Sequence, residues 1–287
     1  IWQRYFGYGL VRTIGDFGLR GEAPTHPGLL DWLACEVVDS GWDLKTIHRL
    51  IVTSETYRQS SSSASAHRES DPFNTLLGRS ARFRLQAEQL RDLSLSAAGL
   101  LDRRIGGASV FPVQPGDYWS EKGQEKDSGK WLTSKGGDLY RRGLYTYWKR
   151  MALYPSFWIL DAPTRQVCTV SRSITNTPIQ TLVTLNDPVF FEAARAFALR
   201  ILSEVPGGRK KRVEEAFLIS LSRLPSAVEA TAFSSMLGDL EKRYKGDPQA
   251  AASVNPGTGE APAGAELAAW TVLASTLLNL DEAITRE

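Results

Sequence analysis

A chain of 287 residues that is 42% hydrophobic and 23% charged can bury a substantial core and is too apolar to be disordered throughout. Its 34 Lys plus Arg and 32 Asp plus Glu leave a net charge of +2, so no global field draws it to nucleic acid or to an anionic membrane. No apolar run reaches about 18 residues, which argues against a membrane-spanning helix.

The first residues, "IWQRYFGYGLV", read as the interior of a longer protein. In "THPGLLDWLACEVVDSG", Thr25 is placed to cap a helix and Pro27 suits its first turn. Leu29, Leu30, Leu33 and Val37 then recur at helical spacing before Gly41. "WDLKTIHRLIVTSETY" predicts a second helix, with Asp43 as N-cap and Leu44, Ile47, Leu50 and Ile51 as a buried stripe, so the two form a tight hairpin. Serine-rich residues 60–70 predict an exposed loop, and Asp71-Pro72 predicts another capped helix start. A long helix is expected over 85–101, with Leu90, Leu93, Ala97 and Leu101 on one side.

From Gly106 to Gly143 periodicity gives way to glycine, lysine and aromatic residues, the pattern of a long irregular excursion. "GLYTYWKRM" and "QVCTVSR" leave room for one or two short strands, a helical turn being the other reading of "LYTYW". Helical spacing returns at Phe190, Phe191, Ala194, Phe197, Ala198, Ile201 and Leu202, then at Val213, Phe217, Leu221 and Leu224. Pro225-Ser226 resets the chain into a helix with Phe233, Leu237, Leu240 and Tyr244, and a last helix carries Leu267, Trp270, Leu273, Leu277, Leu280 and Ile284. Between these two, "SVNPGTGEAPAGAE" has the composition of a linker. The expected fold is mainly α: a multi-helix domain with helical hairpins, a long irregular aromatic-rich middle and one or two short strands. Its parts are 1–105, 106–176 and 177–287, within one continuous domain.

Residues 171–188, "SRSITNTPIQTLVTLNDP", concentrate hydrogen-bonding groups around a short apolar run. Thr177-Pro178 and Asp187-Pro188 are N-cap and first-turn pairs for two successive helices, each cap worth about 1 kcal/mol. Capping leaves Arg172, Thr175, Asn176, Gln180 and Asn186 without a task, and Asp161, Arg165 and Cys168 run into them from "LDAPTRQVCTVSRS". The favoured reading is a buried network that fixes an irregular segment, since buried polar groups must be satisfied. The other is a site for a sugar or carboxylate, with Trp148, Asp161, Arg165, Arg172, Asn176, Gln180 and Asn186 as its candidate ligand-binding residues.

No GxSxG elbow is present, and His26, His48 and His67 each have an ordinary structural reading. Cys35 and Cys168 form no CxxC or CxxCH unit, which argues against a zinc cluster or attached haem; two free structural thiols are favoured over a pair. No metal and no cofactor is assigned to this chain, an oxygen-ligand calcium site being left open. The basic runs "GRKKR" (Gly208–Arg212) and "YWKR" (Tyr147–Arg150) are candidates for a local patch, the first reading as a solvated loop and helix start. A glycosidase would need two facing carboxyls, for which Glu22, Asp117, Glu121, Asp138 and Asp161 are candidates. Trp119, Trp131, Tyr140, Tyr145, Tyr147, Trp148 and Trp158 could stack on sugars or simply pack a loop-rich core, the latter being favoured.

Four stretches, "GLVRTIGDFGLRGEAPTHPGLLDWLA", "WDLKTIHRLIVTSETYRQSS", "DAPTRQVCTVSRSITNTPIQTLVTLNDPVFFEAAR" and "LLNLDEAITRE", resemble in order the planctomycete PSD1 family, a domain of unknown function. The resemblance runs from about Tyr5 to Glu287. It implies exported multidomain proteins, often with a cytochrome-c-type domain elsewhere in the chain and encoded near sulfatase-like proteins. Haem would then belong only to that further domain. It carries no catalytic residues over and implies an extracytoplasmic, periplasmic or cell-surface location.

Two functions are carried forward. The first is a noncatalytic envelope assembly module whose partners are other proteins or neighbouring domains of the same longer protein. The alternative is a carbohydrate-binding or carbohydrate-active domain for neutral or sulfated polysaccharide. Neither involves nucleic acid.

Overall fold

The computed structural model describes residues 1–62, 69–116, 131–149, 152–255 and 262–286. Among them are thirteen α-helices and one two-stranded sheet, so the fold is mainly α as expected. The chain divides into two compact units: Ile1–Arg84 with Thr169–Ser171 and Thr285–Glu287, and Leu85–Cys168 with Arg172–Ile284.

The first unit contains α1 (Trp2–Phe6), α2 (Pro27–Asp39), α3 (Leu44–Thr53) and α4 (Glu55–Arg58), with β1 (Phe83–Arg84). Its small core is Phe6, Ile47 and Ile51, with Trp2, Tyr5, Leu33, Val37, Leu50 and Tyr57 packed around it. Rings supply much of the cohesion: Trp2 stacks on Phe6 at 4.2 Å, and Tyr57 meets Tyr5 edge-on at 5.5 Å. The expected hairpin of α2 and α3 is present, and the Asp43 carboxylate accepts from the Lys45 amide as N-cap of α3.

Three local expectations for this unit need correction. His26, not Thr25, is the N-cap of α2, because the Thr25 amide and hydroxyl both turn back to the Leu10 carbonyl. Leu44 lies exposed at the first turn of α3, outside the Ile47–Ile51 stripe. Asp71 starts no helix: its carboxylate accepts from the Thr75 and Leu76 amides, holding successive turns in which Asn74 and Leu77 take positive φ. Residues 63–68 of the serine-rich loop, including His67, lie outside the described residues.

The second unit is organised around α12 (Pro262–Leu278). Earlier in the chain come α5 (Ala87–Ala97), α6 (Pro155–Ile159), α7 (Pro178–Asn186), α8 (Pro188–Glu204), α9 (Arg209–Leu221), α10 (Ala227–Gly246) and α11 (Pro248–Val254). The short α13 (Asp281–Ile284) follows. Helix α12 packs most extensively on α8 and α10, and also touches α9, α11 and α13. It buries residues on nearly every side, including Leu267, Trp270, Leu273 and Leu277, as befits a central helix. Small side chains, Ala193, Ala194 and Ala198 on α8 and Ala268 and Ala269 on α12, let such helices approach closely. Phe197, Phe217 and Leu237 complete a core in which each fully buried side chain contributes roughly 1.5–3 kcal/mol.

Several boundaries differ from expectation for physical reasons. Helix α5 is shorter than 85–101, ending where Gly99 takes φ 74°. The last helical run breaks at Leu278, leaving Leu280 and Ile284 to the turn and to α13. Part of the expected linker is α11, capped by Asp247 through the Ala250 amide; residues 256–261 lie outside the described residues. "GRKKR" is the start of α9, where Arg209 pairs with Glu241 at 2.7 Å and Arg212 with Glu266 at 3.3 Å.

Among the described residues the strands are not in the middle region. "QVCTVSR" contains none, and 143–149 forms only a 3₁₀ turn (Gly143–Tyr145) and an isolated bridge between Val110 and Thr146. β1 instead pairs antiparallel with β2 (Thr285–Arg286), Phe83 opposite Arg286.

Two buried arginines hold the irregular middle. Arg91 on α5 donates to the carbonyls of Leu139 and Arg141, each at 2.6 Å. Arg141 in turn donates to the carbonyls of Arg104 (3.1 Å), Gly106 and Ala108, its guanidinium lying 3.8 Å from the centre of the Tyr145 ring. Carbonyls that no helix or sheet satisfies thus find cationic donors. Gly143 sits against the backbone of α5: a Cβ there would fall 2.9 Å from the Glu88 Cα. Its amide donates to the Asp92 carboxylate at 2.6 Å.

Candidate interaction surface

The polar stretch resolves into a compact knot. Asp161, in the left-handed region at φ 63°, ends the turn after α6, a conformation Asp tolerates better than most residues. One of its carboxylate oxygens accepts from the amide and hydroxyl of Thr175, both at 2.7 Å, and from the Gln180 side chain at 3.0 Å. Gln180, only 1% exposed, also donates toward the Ile159 carbonyl (3.0 Å) and the Thr175 hydroxyl (2.9 Å). Its Oε1 accepts from the amide of Thr177, the N-cap of α7, at 3.4 Å. The knot ties the end of α6 to the start of α7 through satisfied polar groups.

The other candidate residues are distributed around it. Arg172 forks onto Glu88 of α5 at 2.8 and 3.1 Å, the side chains being 21% and 17% exposed. Arg165 is exposed, takes φ 59°, and lies 4.1 Å over the Trp148 ring. Asn176 is exposed in the lead-in to α7. Asn186 is exposed too, and its amide nitrogen bonds back to the Leu182 carbonyl at 2.8 Å. Asp161 and Gln180 are therefore in direct contact, Trp148 and Arg165 form a separate pair, and Arg172 belongs to a third contact.

The aromatic middle is packed ring against ring. Tyr147 stacks on Phe111 at 4.7 Å, Phe111 meets Trp131 at 5.1 Å, Trp131 stacks on Tyr154 at 5.8 Å, and Tyr154 meets Phe157 at 5.2 Å. Tyr140 donates to Glu192 at 2.7 Å; burial first, and that carboxylate second, push its hydroxyl pKa up to about 12. Of the carboxyls considered for sugar chemistry, Glu22 faces Arg12 at 3.6 Å and Asp138 faces Arg104 at 2.8 Å, while Asp117 and Glu121, like Trp119, lie outside the described residues. Cys35 and Cys168 are free thiols and exposed, rather than core residues. Among the described residues no three His, Cys, Asp or Glu side chains converge as a metal site.

Helix α7 adds what the sequence reading missed. Its buried residues are polar, Gln180 and Thr184, the latter reaching Asn279 through its hydroxyl. Its large apolar residues point outward: Ile179 is 56% exposed, Leu182 59% and Leu185 37%. At 100° per residue these three span about 120° on the side opposite Gln180 and Thr184. Ile174, just before the helix, and Trp158, on the adjoining α6, are exposed as well. Beneath α7 a cavity of about 10 Å³, lined by Thr184, Phe190, Ser275 and Asn279 among others, has room for about one water. The i, i+4 spacing of Gln180 and Thr184 puts both on one helix face but does not say which face turns inward.

The family model described as PSD1, protein of unknown function (DUF1553), matches residues 1–237. The chain belongs to this family. No curated protein and no solved structure matches it. The PSD1 match takes in the polar knot and the whole of α7, and it ends within α10. Among the described residues, no helix of this PSD1 chain is long and apolar enough to cross a membrane.

Proposed function

We propose that this chain is a noncatalytic assembly module that binds protein through the outward face of α7. One observation carries the reading: a helix that buries Gln180 and Thr184 and exposes Ile179, Leu182 and Leu185 is inverted relative to a solvated surface helix. Apolar residues concentrated on one exposed face mark a surface that gains free energy when another molecule covers it. The polar residues that looked like a ligand site support the same reading, because Asp161, Thr175 and Gln180 bond to one another and to backbone. An extracytoplasmic location, and neighbouring domains of a longer protein as partners, remain expectations drawn from the family resemblance.

The test is a thermal-shift comparison. Replacing Ile179, Leu182 and Leu185 together by serine is expected to leave the melting temperature of the chain nearly unchanged, as for surface substitutions. The wild type is expected to show no shift with neutral or sulfated oligosaccharides or with calcium, since only a ligand of the folded state raises stability by mass action. A reproducible shift with one glycan class, lost on Trp148→Ala or Asp161→Asn, would put the carbohydrate reading ahead.

A further inference from the structure

We propose that a cavity in the first unit binds a small carboxylate, its short apolar stem inside and its carboxylate on the guanidinium of Arg12. The cavity, of about 20 Å³, has room for one or two waters and is walled by the rings of Trp2, Phe6, Tyr8 and Phe73 with Leu10 and Leu77. It lies wholly within the first unit, whereas α7 belongs to the second, so the site stands independently of the assembly reading. The wall segment with Phe73 and Leu77 is held by Asp71, whose carboxylate accepts from the Thr75 and Leu76 amides at 2.8 Å each, so the cavity is preformed.

Arg12 makes this more than a packing gap. It lines the cavity with its side chain 32% exposed, and its Cζ lies over the Phe73 ring at 4.0 Å from the centre and over the Tyr8 ring at 5.9 Å. Cation–π attraction of this kind holds a guanidinium in place without consuming its N–H donors. Those donors are open: among the described residues the Arg12 side chain makes no hydrogen bond, the Glu22 carboxylate standing 3.6 Å from its Nε, too far for one. By contrast Arg91, Arg141, Arg172 and Arg223 each donate to two or more oxygens. Thr25, His26 and Asn74, which also line the cavity, are engaged with neighbours: the Thr25 hydroxyl with the Leu10 carbonyl and the His26 Nδ1, and the Asn74 amide with the Arg79 carbonyl. A short-chain carboxylate satisfies both parts of this arrangement. Its two oxygens match the planar fork of N–H groups, and its stem leaves water for the rings. The size of the cavity limits the stem to a few carbons and turns away a sugar ring. Inorganic phosphate suits the guanidinium but gives the rings nothing to bury, and a neutral amide suits the rings but lacks the charge.

The experiment is saturation-transfer NMR on the purified chain with propionate, observed at the ligand protons with ionic strength held constant. A dissociation constant on the order of 1 mM is expected for so small a ligand. Propionamide, the neutral counterpart, is expected to bind about 10-fold more weakly or worse, and inorganic phosphate at equal concentration is expected not to displace propionate. Arg12→Gln should weaken propionate binding by about 10-fold or more, whereas Glu22→Gln, which removes the rival carboxylate, should tighten it by about 2- to 5-fold. A short peptide ending in alanine, with its C-terminus free or amidated, distinguishes two sources of the same chemistry. A free C-terminus that outcompetes propionate assigns the site to chain ends, and one that competes less well assigns it to free acids. No transfer at about 50 mM propionate, far above the expected dissociation constant, overturns the proposal. So does propionamide binding as tightly as propionate, displacement by phosphate, an unchanged affinity in Arg12→Gln or a weaker one in Glu22→Gln. The propionamide comparison uses the wild type, so it decides even where Arg12→Gln fails to fold.

Discussion

Helices α7 and α8 are separated by one residue and each opens on an N-cap residue followed by proline, although only the Asp187 side chain makes the cap hydrogen bond, and they bury opposite chemistry. Thr177-Pro178 opens one and Asp187-Pro188 the other. Helix α8 buries Val189, Phe190, Ala193, Ala194, Phe197, Ala198 and Ile201, whereas α7 buries Gln180 and Thr184. The cap and the proline decide where a helix begins, through the satisfied amide and the preset φ, and both act within a few residues. Which face turns inward depends on what waits there. For α8 it is the apolar side of α12; for α7 it includes the Ile159 carbonyl and the Asp161 carboxylate, which need donors.

The contrast is broken most sharply by truncating one large apolar side chain on each helix. Phe197, fully buried on α8, is expected to lose about 3–5 kcal/mol of stability as Phe197→Ala, by lost transfer energy and the cavity left behind. Leu182→Ala on α7 should change stability by no more than about 0.5 kcal/mol. Urea unfolding of the two variants under identical conditions measures both. Comparable losses would mean that α7 is an ordinary packed helix and that its outward face is not free.

An intermediate effect is expected where α7 meets polar neighbours. Gln180→Leu keeps much of the side-chain volume but takes the donor away from the Ile159 carbonyl and the Asp161 carboxylate, for an expected loss of about 1–3 kcal/mol. The same urea experiment reads it. A gain in stability from this more hydrophobic residue would show that the knot is dispensable and that α7 could have been an apolar-in helix.

Much of the helical framework was legible because its signals are local: Asp43 capping α3, Ser226 capping α10, and the spacing of Phe190, Ala194, Phe197 and Ile201 along α8. What escaped depends on contacts far apart in sequence. The arginine path from Arg91 to Arg141 and on to the 104–108 carbonyls joins segments dozens of residues apart, and nothing local distinguishes Arg91 from a solvated arginine on an amphipathic helix. The sheet pairs Phe83 with Arg286, a two-residue ladder too short to leave an alternating pattern. At the candidate surface, the network of Asp161, Thr175 and Gln180 was foreseeable from residue type. The outward turn of Ile179, Leu182 and Leu185 was not, because a nine-residue helix shows its apolar stripe equally well whichever way it faces.

The smallest expected effect concerns the residue between the two helices and is visible only as a trend with pH. Asp187 is 6% exposed; it caps α8 through the Val189 amide at 3.0 Å and accepts from the Ser156 hydroxyl. Burial pushes its carboxyl above the ordinary carboxylate range, while the Ser156 hydroxyl, the Val189 and Phe190 amides and the charge of Arg91 pull it back. A carboxyl whose folded pKa exceeds its unfolded value binds its proton more tightly in the native state. Its contribution to stability is therefore complete below about pH 4 and is lost as the pH rises through the folded value. Asp187→Asn keeps an acceptor oxygen for the cap and cannot ionise. Its stability relative to the wild type should thus improve as the pH rises from about 4 through the folded pKa, and level off above it, in urea unfolding. Asp92, whose pKa burial also raises, is present in both proteins and cancels from the difference. An asparagine variant that instead loses ground toward pH 7 would show that Arg91 and the positive end of α8 want the full charge, so that the junction between the two helices is held by electrostatics and not by the cap hydrogen bond alone.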